Sequence, residues 1–354
     1  MQHIRVFDSL RGIMALWVAL VHTLMSVGIY IPASINKIVN VTYAVDVFII
    51  LSGFVIFALL HYSQENYRGF ITRRAFRLFP AYLVALAISA LTLSWQIDLW
   101  STFATEGRYW TGRAMTLTDT QNDFTAHLLT HLVLLQGLFN GLLPSSDFTF
   151  LEPAWSLSLE WQFYLLAPVI FVAAQQRKLR TLCLLALFSA ALYGAPGSGF
   201  LSNQIHYFLV GILSFYLYLF IQKHQLTVIP VYLLFVCLTL KNIPMATWFL
   251  FFSMATFSNP LFSRLKRFFE LGVFHYIGQR SYSIYVFHTL LIYPAFLLVG
   301  DISTLAGKIT VIALTMLFTL ITSHFTYQFI ELPGIQLGRK LAKKMQQPTP
   351  VPSG

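Results

Sequence analysis

Arg11 and His22 stand eleven residues apart inside LRGIMALWVALVHTLMSV, a stretch that is otherwise apolar. A helix turns about 100° per residue, so a step of eleven falls within roughly 20° of three full turns and brings both side chains to one face, about 16 Å apart along the axis. If this stretch crosses a membrane, one face of one span carries a guanidinium and an imidazole. A charged group near the bilayer centre costs on the order of 3 kcal/mol even on a lenient scale, so the pair needs partners, a wet cavity or a chemical task. A headgroup anchor at Arg11 and an inter-helix hydrogen bond at His22 would satisfy the same spacing without chemistry.

Two carboxylates could serve the histidine. Asp46 lies in VTYAVDVFIILSGFVIF and Glu160 in PAWSLSLEWQFYLLAPVIF, each a few residues inside the outer end of an apolar run. His22 lies about 13 Å inside the outer end of its own run, so the three can share a depth. A carboxylate that fixes an imidazole's tautomer and stabilises the imidazolium makes a general base, with His22, Asp46 and Glu160 as the catalytic candidates. A neutral polar network between helices is the alternative.

A second group is basic. NYRGFITRRAFRLFPAY clusters Arg73, Arg74 and Arg77 just before an apolar run, and Arg74 and Arg77 share a helix face. Guanidinium forks bind phosphate bidentately, which suits a polyphosphate ligand, although arginines at a membrane edge also anchor topology. In GQRSYSIYVFHTLLIYP, helical spacing puts Ser281, Tyr285 and His288 on one face. Glu331, in FIELPG, is a carboxylate placed to cap a helix or pair with an arginine. Trp100, Tyr109, Trp110 and Phe148, in the outer segments, could stack on sugar rings or form an interfacial belt.

The elements that hold these residues must be membrane spans. The chain of 354 residues is 57% hydrophobic and 10% charged, which excludes an ordinary soluble domain. Its net charge of +10 fits Lys and Arg holding loops on one membrane side, with no call for nucleic acid. Cys183 and Cys237 both sit in apolar runs, so neither a disulfide framework nor a metal site is readable. Apolar runs of spanning length fall at 9–31, 41–61, 80–99, 154–174, 181–198, 203–221, 225–240, 244–260, 281–300 and 309–330. With 125–143 kept from crossing, 18 of the 23 Lys and Arg fall on one side. Only Lys37, Arg108, Arg113, Lys241 and Lys308 fall on the other. The positive-inside rule therefore makes the charged side cytoplasmic, places both termini there and leaves 125–143 re-entrant or interfacial. The predicted fold is all-α: a polytopic membrane protein of about ten transmembrane helices plus one short re-entrant or interfacial helix. A transmembrane domain at 1–337 precedes a disordered cytoplasmic tail at 338–354, with no soluble second domain.

Taken together, these segments resemble the acyltransferase-3 family of integral membrane acyltransferases. The matching pieces are Arg11 and His22 with ten residues between them, Asp46 in VDVFIILSGF, Arg74-Ala-Phe-Arg77, WSLSLEWQFYL, SYSIYVFH from Ser281 to His288, and Glu331-Leu-Pro333. The resemblance implies transfer of an acyl group, typically acetyl from acetyl-coenzyme A, to a hydroxyl of an envelope glycan such as a lipopolysaccharide O-antigen. It implies His22 as the catalytic residue, Arg11 as its motif partner, and Arg74 and Arg77 at the coenzyme A. Arg73, Tyr285 and His288 join Arg11, Arg74 and Arg77 as candidate donor-binding residues. No permanently bound cofactor is expected, acetyl-coenzyme A being the donor. Membrane lipids, the glycan acceptor and a separate periplasmic protein are the expected partners, and the bacterial inner membrane the expected location. Trp161, after Glu160, departs from the commoner family pattern. A proton-coupled transporter using the buried His, Asp and Glu groups is the alternative; it leaves the arginine pair unexplained and has no evident inverted repeat.

Overall fold

The structure is a computed structural model that describes residues 4–29, 40–63, 65–103, 108–224, 228–257 and 259–346. Among these residues every regular element is helical. In order they are α1 (Arg5–Ser26), α2 (Val41–Tyr62), α3 (Tyr67–Leu91), α4 (Leu93–Thr102), α5 (Arg108–Asn122) and α6 (Phe124–Leu132). Next come α7 (Ala154–Gln175), α8 (Leu179–Ala191), α9 (Leu201–His224), α10 (Ile229–Thr239), α11 (Ile243–Thr256) and α12 (Pro260–Phe269). The chain closes with α13 (Gly272–Gln279), α14 (Ser281–Phe287), α15 (Ile292–Val299), α16 (Leu305–Thr326), a π-helical turn (Tyr327–Glu331) and α17 (Leu332–Gln346).

Six of the helices or helix runs are long and apolar enough to cross a membrane. The pair α14 and α15, bent by 59°, would make a seventh. The predicted ten spans therefore do not all appear as full-length helices. The runs at 181–198, 225–240 and 244–260 yield α8, α10 and α11, of 13, 11 and 14 residues. At 1.5 Å per residue these reach about 17–21 Å, against a hydrocarbon core of about 30 Å. Hydropathy counts apolar residues and does not see the left-handed backbone that stops a helix. Gly194 (φ 83°) follows α8, and Lys241 (φ 56°) separates α10 from α11.

The third span also differs from its prediction. The run at 80–99 places Pro80 at a helix start, but α3 begins at Tyr67 and carries Pro80 inside it, so the arginine cluster is helical. Proline has no N–H to donate and so leaves free the carbonyl four residues earlier, here that of Phe76. Gly334 of α17 packs at that spot: a Cβ there would meet Pro80 Cγ at 2.8 Å and the Phe76 carbonyl oxygen at 3.1 Å. The close α3–α17 pairing extends past the expected start of the tail at 338, and residues 338–346 continue α17. Residues 347–354 lie outside the described part.

α1 is the central post, packed against α2, α11, α13, α14 and α16. Phe7, Phe54, Trp248 and Phe252 interlock in a buried aromatic core between α1, α2 and α11, and the Trp248 indole N–H donates to Ser214 Oγ at 2.9 Å. α2 and α9 cross so closely that a Cβ on Gly211 would overlap the Ile50 carbonyl. The 125–143 segment is α6 followed by a 3₁₀ turn at Gln136–Leu138, too short to span. His131 ties it to α3 through Tyr82 Oη at 2.8 Å, and Gln136 Nε2 donates to the Ala154 carbonyl at 2.9 Å.

Candidate active site

A cavity of about 870 Å³, open mouth included, lies between α1, α2, α3, α7 and α14. Arg11, Arg74, Arg77 and Glu160 line it, with the hydroxyls of Ser52, Ser156, Tyr164, Ser281, Tyr282 and Tyr285. The i, i+3 spacing of Arg74 and Arg77 turns both toward the cavity, and α1 brings Arg11 to meet them. Arg73 points elsewhere, toward an ion pair with Glu65, and does not line the cavity. Three guanidiniums within one concave surface need negative charge. Glu331 supplies it for Arg77: its buried carboxylate pairs with the guanidinium and accepts from Ser283 Oγ at 2.7 Å. Glu160 accepts from Tyr164 Oη and, at 3.4 Å, from Ser52 Oγ. Arg74 Nε and Ser281 Oγ are buried without a hydrogen-bond partner. Donors left unmade in a cationic cavity fit an anionic ligand that brings its own acceptors, as a phosphate does.

The His22 side chain points to the opposite end of α1's polar face. His22 Nδ1 lies 2.8 Å from His288 Nε2, and the rings stack with centroids 5.1 Å apart at 8°. α14 ends at this point, where the bend toward α15 begins, so His288 sits at the break. Its Nδ1 lies 2.8 Å from the Tyr285 carbonyl oxygen. A carbonyl only accepts, so Nδ1 of His288 carries a proton and Nε2 of the neutral ring is an acceptor. His22 Nδ1 then donates to it. The unprotonated nitrogen of His22 is Nε2, free to take a proton from a substrate. Tyr285 stands between cavity and histidine pair: its hydroxyl is 2.7 Å from Ser156 Oγ, its ring meets Phe48 edge-on at 5.7 Å, and its centroid is 6.0 Å from that of His288.

The predicted site residues are thus sorted into four places, one of them that of Arg73 with Glu65. Arg11, Arg74, Arg77, Glu160 and Tyr285 surround the cavity, and His22 pairs with His288. Asp46 lies beside Tyr207 on α9. Neither Asp46 nor Glu160 orients His22; a second histidine does. Equal depth would let these carboxylates meet His22, but depth leaves each helix's rotation undetermined. Trp100 and Trp110, which could have stacked on sugar rings or formed an interfacial belt, are buried and stack on each other at 3.7 Å.

By its place in the sequence Arg113 is one of the few charges of the outer side. It is buried, donating to the Phe148 carbonyl at 3.2 Å and to Tyr293 Oη at 3.3 and 3.4 Å. Nothing in the sequence around it, RYWTGRAMTLTDT, marks an arginine turned inward.

Residues 4–327 match the family model of the acyltransferase-3 group, described as an acyltransferase domain. The chain belongs to this family. The resemblance read from its motifs holds across nearly its whole length. A protein named "Putative membrane-bound transacylase BcsY", from Komagataeibacter xylinus, is 29% identical over 189 residues. Those residues make up 53% of this chain and 42% of that protein, so the chain spans less than half of its relative's length. No solved structure matches the chain.

Proposed function

We propose that this acyltransferase takes an acyl group, acetyl in the first instance, from a coenzyme A thioester and transfers it to a hydroxyl of a cell-envelope glycan. His22 is the general base. The observation that carries this reading is the chain of hydrogen bonds from the Tyr285 carbonyl through His288 to His22, which leaves His22 Nε2 as a proton acceptor, with Tyr285 standing between the histidine pair and an arginine-lined cavity. The cavity suits the donor: coenzyme A carries a pyrophosphate and a 3′-phosphate, and Arg11, Arg74 and Arg77 offer guanidiniums for them.

His22 Nε2 takes the proton of the acceptor hydroxyl as its oxygen attacks the thioester carbonyl carbon. The tetrahedral intermediate collapses by breaking the C–S bond, and the imidazolium returns the proton to the leaving thiolate, giving ester and free thiol. While charged, His22 keeps its Nδ1–H directed at His288, whose own N–H is held by a carbonyl, so the positive charge spreads into an oriented pair. Ten membrane crossings, a bacterial inner-membrane location and cytoplasmic termini belong to the same proposal; the loop charge bias supports them.

The test is the acetyl content of isolated envelope glycans from cells producing wild-type or His22→Ala protein at matched membrane levels. Loss of acetylation with His22→Ala is expected. Acetylation at the wild-type level would overturn the assignment of the base.

A further inference from the structure

The side of the histidine pair away from Arg11 holds a second polar cluster. Ser26 lies one turn beyond His22 on α1 and donates to the His22 carbonyl at 2.8 Å. Tyr109 of α5 lies near Ser26, and its hydroxyl donates to Glu152 Oε2 at 2.8 Å. Glu152 directly precedes Pro153, whose carbonyl accepts from Tyr285 Oη at 3.2 Å. Arg113, one helical turn after Tyr109, interacts electrostatically with both Glu152 and His22. A buried arginine has five N–H donors, and three of its contacts here are to neutral oxygens. Arg113 and Glu152 form no ion pair among the described residues, so neither charge is neutralised by contact with the other. A fork of donors set beside a carboxylate acceptor matches the alternating hydroxyls of a sugar ring, each of which both donates and accepts.

We propose that Arg113 and Glu152 form the acceptor subsite: Arg113 donates to a hydroxyl or ring oxygen next to the reacting group, Glu152 accepts from a neighbouring hydroxyl, and together they aim the reacting hydroxyl at His22 Nε2. The occupant is a neutral polyhydroxylated glycan residue. This inference rests on the acyl-transfer reading. It assigns the two ends of the molecule's polar axis, donor at Arg11, Arg74 and Arg77 and acceptor at Arg113 and Glu152, with the histidine pair between them.

The test follows transfer of labelled acetyl from acetyl-coenzyme A into glycan in membrane vesicles, alongside coenzyme A binding to the purified full-length protein. Arg113→Gln and Glu152→Gln should lower transfer at least tenfold while coenzyme A affinity stays within twofold of wild type. Tyr293→Phe keeps the ring and removes only the hydroxyl that holds Arg113; it should lower transfer less, again with donor affinity retained. Wild-type transfer by Arg113→Gln overturns the subsite, and so does a parallel loss of coenzyme A binding, which would make Arg113 a donor-side or structural residue. Full transfer by His22→Ala would instead remove the acyl-transfer reading beneath it. Loss with His22→Ala but not with Arg113→Gln removes only the subsite.

Discussion

Glu331 and Arg77 are ion-paired across 254 residues, with the Glu331 carboxylate fully buried and its second oxygen held by Ser283. The carboxylate is carried on the π-helical turn Tyr327–Glu331, an irregularity of a kind often found at functional sites. The pairing divides the arginines by role. Arg77 is neutralised from behind and Arg73 is occupied by Glu65, while Arg74 retains a buried, unpartnered Nε and holds its Cζ over the Tyr164 ring, 5.8 Å from the centroid.

Arg74 and Arg77 should therefore fail differently. Arg74→Ala removes a donor that has no acidic partner to strand, so the expected outcome is at least tenfold weaker coenzyme A binding with little change in thermal midpoint. Arg77→Ala leaves Glu331 charged and buried, at a cost of about 3–5 kcal/mol, and should lower the midpoint strongly. The double variant Arg77→Met with Glu331→Gln should recover most of that stability without recovering binding. Calorimetric binding and thermal unfolding in detergent separate the two patterns, and equal midpoints for Arg74→Ala and Arg77→Ala would contradict them.

His288 is a positioning residue, and its replacement should slow transfer without touching donor affinity. His288→Phe keeps an aromatic ring against His22 but offers no acceptor to Nδ1–H, freeing the tautomer and the ring orientation. A loss of about 10²-fold or more in the rate of transfer is expected, approaching that of His22→Ala. His22→Ala and the double variant should be equally impaired, since both positions act as one unit. Additive losses in the double variant would show that His288 acts independently.

What was legible in the sequence was local. The step from Arg11 to His22 and the i, i+3 relation of Arg74 to Arg77 follow from helix geometry, and both pairs lie in single helices, α1 and α3. Arg73, one residue away, turns about 100° and leaves the group. The partner of His22 was not legible, because it lies 266 residues away and depends on how α1 and α14 are rotated. Asp46 went to Tyr207 for the same reason: α2 is locked to α9 by the glycine contact at Gly211, and that contact sets which way Asp46 faces. Shortened helices escaped hydropathy because Lys241 gives no sign of a left-handed backbone in its residue type.

That glycine contact can be tested. Gly211→Ala places a methyl against the Ile50 carbonyl and near Phe54 N at 2.8 Å, both backbone atoms that cannot swing away. Destabilisation of about 1–3 kcal/mol is expected from the overpacking. Gly112, inside α5, has nothing within 4 Å of its added Cβ, and Gly112→Ala should stabilise by up to about 1 kcal/mol through helix propensity. Thermal midpoints that move in opposite directions confirm the crossing; a neutral Gly211→Ala would refute it.

Asp147 gives the loop before α7 a pH dependence. The residue is buried, and its carboxylate accepts the backbone N–H groups of Ser198 at 2.6 Å and Gly199 at 3.3 Å. Burial pushes its pKa up from 3.8 to about 6, with those two hydrogen bonds opposing the shift. Between pH 4 and 6 the folded chain thus holds a proton that the unfolded chain has released. Its contribution to stability is complete below pH 4 and is lost as pH rises through 6, on the order of 3 kcal/mol in all. Asp147→Asn resembles the protonated form, keeps an oxygen for Ser198 and should abolish this part of the slope, leaving the variant at least as stable as wild type at pH 7. Thermal unfolding in detergent across pH 4–7 checks both statements. An unchanged slope in Asp147→Asn would assign the dependence to another group.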